Sequence, residues 1–350
     1  YTREVMIRKL FKFLPFAVVL FLVGLVGYIW GLQKPEDSTI SLLVATPKPT
    51  PLAVYSIPSL QKNPSIADRM EITQTLADKK DLTSYKFLMY FAANPTKLEN
   101  KKTSGMVNIP KGDGAFPLII MIRGYVDQTI YQTGVGTKNA AEYFAQNGYV
   151  TLSLDYLGYA DSDSEAGNIF ESRFQTYTTT LSLFQLVNTQ KLPQELLSKW
   201  DRKNVFIWAH SNGGQIALTT LAITKGNYPT VLWAPVTKFF PYSVLYYTDD
   251  SADGGKLIRR ELAKFEDLYD TNNFSFTSFL TDIHAPIQFE QGTADDAINY
   301  QWTRTFANVL KKQGNDIIYN QYPGSDHNLR PAWNDVVAKD LEFFKKNAIQ

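Results

Sequence analysis

The stretch from Val205 to Gly214 reads VFIWAHSNGG, a short apolar run that ends in His210, Ser211, Asn212 and two glycines. This pattern predicts a buried strand that turns sharply into a helix, with a serine at the tip of the turn. Such a turn exposes the serine at the carboxyl end of a sheet and leaves the N–H of Asn212 free to bind an oxyanion. The stretch therefore predicts an α/β architecture with Ser211 as a nucleophile; the alternative is an ordinary strand end followed by a polar turn.

The motif departs in one place from the G-x-S-x-G pattern, because Ala209 stands two positions before the serine. That position needs a side chain small enough for the strand and the helix to pack closely, and alanine is the smallest after glycine. Gly213 and Gly214 keep the other side of the turn clear. The prediction of a nucleophile therefore stands.

A serine nucleophile needs a base, and the chain has three histidines. His210 directly precedes Ser211, so its side chain points away from the serine, and we assign it a packing role. His284 comes just before an apolar run typical of an incoming strand, which places it at the wrong end of the sheet. His327 lies in the polar loop YPGSDHNL directly after a predicted strand and is the better base; the alternative for it is a solvated loop histidine.

The third residue needed is a carboxylate that orients the imidazole and stabilises its protonated form. The segment PIQFEQGTADDAI predicts a strand over 286–291 followed by a loop with Asp295 and Asp296. Asp295 lies between Ser211 and His327 in the chain, which gives the order Ser, Asp, His. We therefore prefer Asp295; the alternative for either aspartate is a solvated or helix-capping role.

The run GTADD, the run GSDH and the serine turn together resemble the α/β-hydrolase superfamily, specifically its prolyl oligopeptidase and dienelactone hydrolase branch. The resemblance covers roughly residues 82 to 347 and implies the α/β-hydrolase fold. In that branch, the residues at the positions of Asp295 and His327 are the acid and the base of a catalytic triad with the serine. The resemblance thus implies the same triad as the spacing of the residues.

The resemblance also implies a second oxyanion donor in the loop after the third strand of the fold. Here the predicted strand over 116–122 is followed by Arg123, Gly124 and Tyr125. Arginine stands where the family often has histidine, but the glycine is retained. The implied oxyanion donors are the backbone N–H groups of Tyr125 and Asn212.

Strand-like and helix-like segments alternate along the rest of the chain. This alternation predicts a mainly parallel, doubly wound sheet of eight strands, with its active site at the carboxyl ends of the strands. Residues 66–80 have helical spacing and predict a helix that packs on the catalytic domain. The predicted strands cover residues 82–92, 102–109, 116–122, 149–155, 204–209, 230–233, 286–291 and 316–321. The predicted helices cover residues 139–147, 171–189, 213–224 and 336–347.

An insertion at about 235–285 separates two neighbouring strands and is predicted to form a cap over the active site. Its aromatic residues are candidates for the wall of a substrate pocket, and the alternative is that they form the small core of the cap itself. Tyr156, in the loop after a predicted strand, is a candidate for another edge of the pocket. The cap candidates are Phe239, Phe240, Tyr242, Tyr246 and Tyr247.

The amino-terminal part predicts attachment to a membrane. Residues 13–32 form an uncharged run long enough to cross a bilayer as a helix, and the basic segment 1–12 before it favours the cytoplasmic side. Residues 33–81 are predicted to form a Pro-rich linker and extension, and residues 82–350 the catalytic domain. We therefore expect a single-pass protein of the cell membrane with its catalytic domain outside the cytoplasm; the alternative is secretion after signal cleavage.

Composition excludes several classes of function. A formal net charge of +1 gives no basis for nucleic-acid binding, and the lack of cysteine excludes disulfides and thiolate metal sites. The acidic run over 161–165 is typical of a solvated surface, so we predict neither a metal site nor a cofactor.

The predicted activity is acyl transfer to water by a serine carboxylic-ester hydrolase. Fewer than 50 residues separate the predicted anchor from the first predicted catalytic strand at Leu82, which is too few for the propeller that oligopeptidases of this branch carry. Small acyl or aromatic esters are therefore favoured, among them feruloyl or acetyl esters, a lactone or a polyester. The alternatives are a serine peptidase of the prolyl oligopeptidase type and a non-catalytic, membrane-anchored binding module, although retention of all three triad residue types argues against the latter.

Overall fold

The computed structural model describes residues 19, 21–31, 48–63, 66–97, 99–248 and 251–349. The chain divides into two compact units, Tyr1–Lys48 and Pro49–Gln350. In the first unit, residues 21–31 form a helix, α1. No helix within the described residues has both the length and the apolar character needed to cross a bilayer. The predicted cytoplasmic segment 1–12 and part of the predicted anchor 13–32 lie outside the described residues.

The second unit is built on one nine-stranded sheet in the order β1-β2-β3-β5-β4-β6-β7-β8-β9. The pairs β1–β2, β2–β3 and β3–β5 are antiparallel, and every pair from β5 through β4 to β9 is parallel. The strands are β1 (Ala67–Asp78), β2 (Leu82–Ala92), β3 (Asn100–Pro110), β4 (Phe116–Ile122), β5 (Val150–Leu154), β6 (Trp200–His210), β7 (Thr230–Trp233), β8 (Ile287–Gly292) and β9 (Ile317–Tyr322).

Helices cover both faces of this sheet, which confirms the doubly wound arrangement. Along β4 the side chains alternate, as the pleat of a strand requires: Leu118 and Ile120 pack into one hydrophobic core, and Ile119 and Met121 into the other. Those cores also contain residues of α4 (Ile169–Asn188) and α6 (Asn212–Thr224) on one face and of α3 (Lys138–Gln146) and α10 (Trp333–Asn347) on the other. The helices are α2 (Ile57–Lys62), α3 (Lys138–Gln146), α4 (Ile169–Asn188), α5 (Gln194–Leu197), α6 (Asn212–Thr224), α7 (Tyr242–Leu245), α8 (Lys256–Glu266), α9 (Tyr300–Lys312) and α10 (Trp333–Asn347).

The prediction of a helix over residues 66–80 was wrong, because this segment is strand β1 and raises the sheet from eight strands to nine. The register of β1 against β2 shifts at three places. Each shift breaks the two-residue alternation of a strand, so buried Ala67 and Met70 fall at a spacing that resembles a helix. The helical pattern is thus a product of irregular strand pairing.

The compact unit begins before the predicted catalytic domain. A 3₁₀ turn at Pro51–Tyr55 and helix α2 bury Tyr55 and Leu60 in the core shared with the sheet. Residues 49–81 therefore contribute to the folded unit, whereas the sequence pattern predicted a linker and extension there.

Candidate active site

Ser211 lies at the tip of the turn between β6 and α6. Its backbone has φ 56° and ψ −124°, a strained conformation for a residue other than glycine. The turn is held by three backbone hydrogen bonds: the Ser211 N–H donates to the Trp233 carbonyl at 2.9 Å, and the Ser211 carbonyl accepts from Gly214 at 2.9 Å and Val236 at 3.0 Å. The surrounding structure thus stabilises the conformation that exposes the serine.

The two glycines after the serine are required by close packing. A Cβ at Gly213 would lie 2.2 Å from the Ile122 carbonyl oxygen, and one at Gly214 would lie 2.4 Å from Cβ of Pro235. Real Cβ atoms do not approach other atoms so closely, so a larger residue at either position would displace the start of α6. The glycines therefore fix the position of Ser211 relative to β4 and to the loop after β7.

His327 and Asp295 lie on the loops after β9 and β8. The imidazole Nδ1 is 3.0 Å from both carboxylate oxygens of Asp295. The Asp295 side chain is fully buried, whereas 20% of the His327 side chain is exposed. This arrangement directs the Nδ1 proton toward the carboxylate and leaves Nε2 free to take a proton.

The Asp295 carboxylate is held in its ionised form. It accepts hydrogen bonds from the backbone N–H groups of Ala297 at 2.9 Å and Ile298 at 2.8 Å and from Nε2 of Gln291 at 3.0 Å. Burial raises the pKa of Asp295, but its hydrogen bond and ion pair with His327 and the N–H of Ile298 outweigh burial and lower that pKa below its ordinary value. Asp295 can therefore orient the imidazole and stabilise it when protonated.

The competing residues lie elsewhere. Asp296 and His284 are both exposed, and no described hydrogen bond joins either to Ser211, Asp295 or His327. Ser211 Oγ makes no hydrogen bond to His327 in this structure, as is common before substrate binds. The His327 ring instead lies beside His210, the residue that precedes the serine.

His210 does more than pack. Its Nε2 lies 3.0 Å from the carbonyl oxygen of His327, and the two ring centroids are 4.6 Å apart. Burial, reinforced by the neighbouring His327, lowers the pKa of His210 to about 4. A neutral His210 can donate a hydrogen bond to the loop that carries His327 without adding a second positive charge there.

We expect His210→Phe to lower kcat about 10-fold, because the ring volume is kept but the donor that holds the His327 loop is lost. His210→Gln retains a donor and should recover most of the activity. Steady-state kinetics on one activated ester compare the two variants. Equal activity of His210→Phe and the wild type would contradict this role.

The same variant should change the acid sensitivity of the fold. Because the pKa of His210 falls from 6.5 to about 4 on folding, the unfolded chain binds an additional proton between these values. Stability therefore declines as the pH falls from about 6.5 toward 4, and His210→Phe should reduce that decline. Urea unfolding of both proteins at pH 7 and pH 5 measures the difference; identical pH dependence would refute the assignment.

The loop after β4 packs directly on the nucleophile. A Cβ at Gly124 would lie 2.8 Å from Cβ and 3.4 Å from Oγ of Ser211. The next residue, Tyr125, has a side chain that is 77% exposed, and its backbone N–H donates to no other described residue. Asn212 is the first residue of α6, where the N–H has no partner within the helix. Both predicted oxyanion donors therefore remain available beside Ser211.

Arg123, which replaces the histidine common in the family, braces this loop. Its buried guanidinium donates to the Gly124 carbonyl at 2.9 Å and to the Asp155 carbonyl at 2.6 Å and lies 3.9 Å from the centroid of the Tyr159 ring. Arg123 thus connects the oxyanion loop to the residue that follows β5.

Gly124→Ala should lower kcat/KM about 100-fold, the effect of losing one oxyanion donor, because the new methyl group must displace either the loop or Ser211. Gly167→Ala is the matched control, since nothing lies within 4 Å of a Cβ at that position. Kinetics and thermal unfolding of both variants make the comparison. Full activity of a folded Gly124→Ala would contradict the assignment of this loop to the oxyanion hole.

Two of the predicted pocket residues are buried. Phe240 is 2% exposed and packs edge-on against Phe170 and Phe174 of α4, so it belongs to the hydrophobic core that the insertion shares with α4, and its prediction as a pocket wall was wrong. Tyr156 is 3% exposed, and its hydroxyl is 3.1 Å from that of Thr180, but it is among the residues that line the cavity beside the oxyanion loop.

The other four aromatic residues of the cap form an exposed cluster around Trp302, a residue of α9 that the sequence patterns did not indicate. The Tyr246 ring is 4.6 Å from Trp302, and the Tyr247 hydroxyl donates to the Ala297 carbonyl at 3.3 Å in the loop of Asp295. This cluster therefore borders the loop that carries the acid. The four cap residues are Phe239, Tyr242, Tyr246 and Tyr247.

The nine-stranded, mainly parallel sheet with a strained serine turn at the carboxyl end of β6 defines an α/β-hydrolase. Residues 136–349 match the model of the prolyl oligopeptidase family, and the chain belongs to this family. The chain is thus a serine hydrolase, and this prediction from the sequence is confirmed. No curated protein sequence matches the chain.

Solved structures of similar fold include esterases and a peptidase. An acetyl xylan esterase from Thermoanaerobacterium sp. is 14% identical with a TM-score of 0.58, and the match covers 86% of this chain and 95% of that one. Est1E from Butyrivibrio proteoclasticus with bound ferulic acid is 18% identical with a TM-score of 0.51, covering 74% and 98%. A putative dipeptidyl aminopeptidase IV from Bacteroides ovatus is 13% identical with a TM-score of 0.51, covering 80% and 44%.

Proposed function

We propose that the protein is a serine carboxylic-ester hydrolase that transfers the acyl group of small acyl or aromatic esters to water. The observation that carries this proposal is the buried, ionised Asp295 bonded to His327 on neighbouring loops, beside the strained turn of Ser211. This combination provides a nucleophile, a base and a group that orients the base.

In the first half of the reaction, Nε2 of His327 takes the proton of Ser211 as Oγ forms a bond to the ester carbonyl carbon. The N–H groups of Tyr125 and Asn212 stabilise the resulting oxyanion. The carbonyl then re-forms, the bond to the alcohol oxygen breaks, and His327 returns the proton to that oxygen. Asp295 stabilises the imidazolium between these two proton transfers.

In the second half, water attacks the acyl-enzyme. His327 takes a proton from the water, whose oxygen forms a bond to the acyl carbon, and the same oxyanion donors stabilise the second intermediate. Collapse breaks the bond to Ser211 Oγ, which recovers its proton from His327. The carboxylic acid product leaves, and the enzyme returns to its starting state without a cofactor.

Two observations favour an ester over a peptide. The similar structures described as an acetyl xylan esterase and as ferulate-bound Est1E match this chain over nearly their whole length, whereas the match to the dipeptidyl aminopeptidase covers 44% of that protein. The cavity beside the oxyanion loop contains two arginines, which would repel the amino terminus of a peptide. A serine peptidase remains the enzyme alternative.

The proposal is tested by screening the purified second unit, Pro49–Gln350, called the catalytic unit below, on p-nitrophenyl acetate and butyrate, methyl ferulate, a lactone and a peptide p-nitroanilide. We expect turnover of at least one ester or lactone and none of the anilide, with all turnover lost in Ser211→Ala. Cleavage of the anilide alone would establish the peptidase instead.

We also propose that residues 13–32 attach the protein to a membrane, with the catalytic unit outside the cytoplasm. Support comes from the uncharged run itself and from the basic residues before it. The full chain should sediment with membranes and resist carbonate extraction, and its catalytic unit should be cut by protease added to intact cells. A full chain found only in the soluble fraction of the cytoplasm would refute the proposal.

A further inference from the structure

A small cavity of about 150 Å³ opens beside the oxyanion loop. It is lined by Gly124, Tyr125 and Asn212, which surround the predicted oxyanion site, and by two arginines, Arg123 after β4 and Arg173 of α4. A chemical group bound there would therefore belong to the same molecule whose carbonyl meets Ser211.

The hydrogen bonds of the two guanidinium groups are incomplete. Arg123 donates only to two backbone carbonyls, and Arg173 donates through Nη2 to Oε1 of Gln215 at 2.6 Å. The Nε atoms of both arginines are buried and have no hydrogen-bond partner. Tyr177, 2% exposed, lines the same cavity with a buried hydroxyl that also has no partner. Each of these three residues lines the cavity and has a buried donor without a partner.

No direct ion pair within the described residues neutralises the two arginines of the cavity. Neither Arg123 nor Arg173 forms an ion pair with a carboxylate anywhere in the described part of the chain. Glu165 lines the rim of the cavity, but it is exposed and accepts a hydrogen bond from Nε2 of Gln128 at 3.1 Å. Arginine keeps its charge in proteins. Arg123 is 5% exposed and its charge faces two carbonyls and the ring of Tyr159, while Arg173 is half-buried. Two such cations beside one cavity favour an anion that is planar and accepts several hydrogen bonds.

The position of the cavity indicates which half of the ester carries that anion. His327 must contact the leaving oxygen in order to return its proton, so the alcohol lies on the side of the base. The cavity is lined by the oxyanion loop and by α4, and neither His327 nor Asp295 contributes to it. It therefore lies on the side of the acyl group.

We propose that this cavity binds a carboxylate on the acyl part of the substrate, so that the preferred substrates are half-esters of short dicarboxylic acids. This inference rests on the proposed ester hydrolase function and names its substrate class. Arg173 and Tyr177 are the specificity-determining residues, and Arg123 contributes charge while it braces the oxyanion loop.

The test compares mono-4-nitrophenyl glutarate with 4-nitrophenyl pentanoate, which share the leaving group and the length of the acyl chain but differ in the terminal carboxylate. We expect the wild type to prefer the half-ester in kcat/KM by roughly 10-fold or more, as charge-assisted hydrogen bonds allow. Arg173→Gln should reduce this ratio at least about 10-fold. Arg304→Gln is the matched control, because it removes an exposed arginine of α9 and should leave the ratio unchanged.

A second variant, Tyr177→Phe, tests the inference even if Arg173→Gln does not fold. Tyr177→Phe removes only the unpaired hydroxyl and should reduce the ratio by roughly 3- to 10-fold. A wild-type ratio near one, or a ratio that neither variant changes, overturns the inference while Ser211-dependent hydrolysis of the pentanoate leaves the proposed function standing.

If neither of these esters is hydrolysed, the proposed function is judged on the other esters of the panel, and the cavity is tested by binding alone. Calorimetry with monomethyl glutarate and methyl pentanoate should then show tighter binding of the anion to the wild type and at least about 10-fold weaker binding to Arg173→Gln. Equal affinity for the two compounds overturns the inference.

Discussion

Ser211→Ala is expected to lower kcat/KM for p-nitrophenyl butyrate by on the order of 10⁴- to 10⁶-fold. The loss is this large because the variant cannot form the acyl-enzyme, and only the oxyanion donors and binding remain. Ser211 Oγ makes no side-chain hydrogen bond in the structure, so the thermal midpoint should change little. Steady-state kinetics and thermal unfolding of the same preparations measure both effects.

Ser198→Ala is the matched control for this experiment. Ser198 is exposed at the end of α5 and should have no effect on turnover. If Ser211→Ala retained more than about a tenth of the wild-type activity, another nucleophile would be responsible, and the reading of the VFIWAHSNGG turn as catalytic would be wrong.

His327→Ala should lower kcat by on the order of 10⁴-fold, because Ser211 then has no base and the alcohol has no proton donor. His284→Ala should remain within about a factor of two of the wild type, since surface substitutions away from the site have small effects. His284 is exposed just before β8, at the edge of the sheet opposite the site. Both variants replace a histidine with alanine, so they differ only in the position of the histidine that is removed.

One result of the histidine comparison would contradict the assignment of His327 as the base. If His284→Ala were inactive and His327→Ala active, the base would be misassigned, and the bond between His327 and Asp295 would have a structural role only. Circular dichroism of both variants separates loss of the base from loss of the fold.

Chain order and local spacing were sufficient to bring the polar residues of the site together. Strands that end just before Ser211, Asp295 and His327 run parallel, so their carboxyl ends meet at one edge of the sheet. The apolar runs of these strands are short and bounded by polar loops, which makes their ends easy to locate from the sequence. The structure places Asp295 and His327 in contact, as the spacing predicted.

Other features depend on contacts that local sequence does not encode. The three register shifts of β1 concealed its alternation, and only pairing with β2 makes it a strand. Phe239 and Phe240 are adjacent and chemically identical, yet one is 50% exposed and the other 2%, because only Phe240 faces α4. Local patterns within the cap could not distinguish them.

Arg173 was missed for a different reason. It lies within α4, whose buried residues are mainly apolar residues and threonines. A single arginine in such a helix is typical of a residue on the protein surface. The role that we propose for Arg173 follows only from the cavity that it lines together with the oxyanion loop. A possible signal was its position near the start of α4, since that end of the helix follows a strand whose carboxyl end borders the site.

Covalent labelling identifies the nucleophile of the protein directly. The wild type and Ser211→Ala are treated with an alkyl fluorophosphonate, digested and analysed by mass spectrometry of the peptides. We expect one adduct per wild-type chain, located on Ser211, and no adduct on the variant. An adduct on another residue of the wild type, or undiminished labelling of Ser211→Ala, would contradict the assignment of Ser211 as the nucleophile.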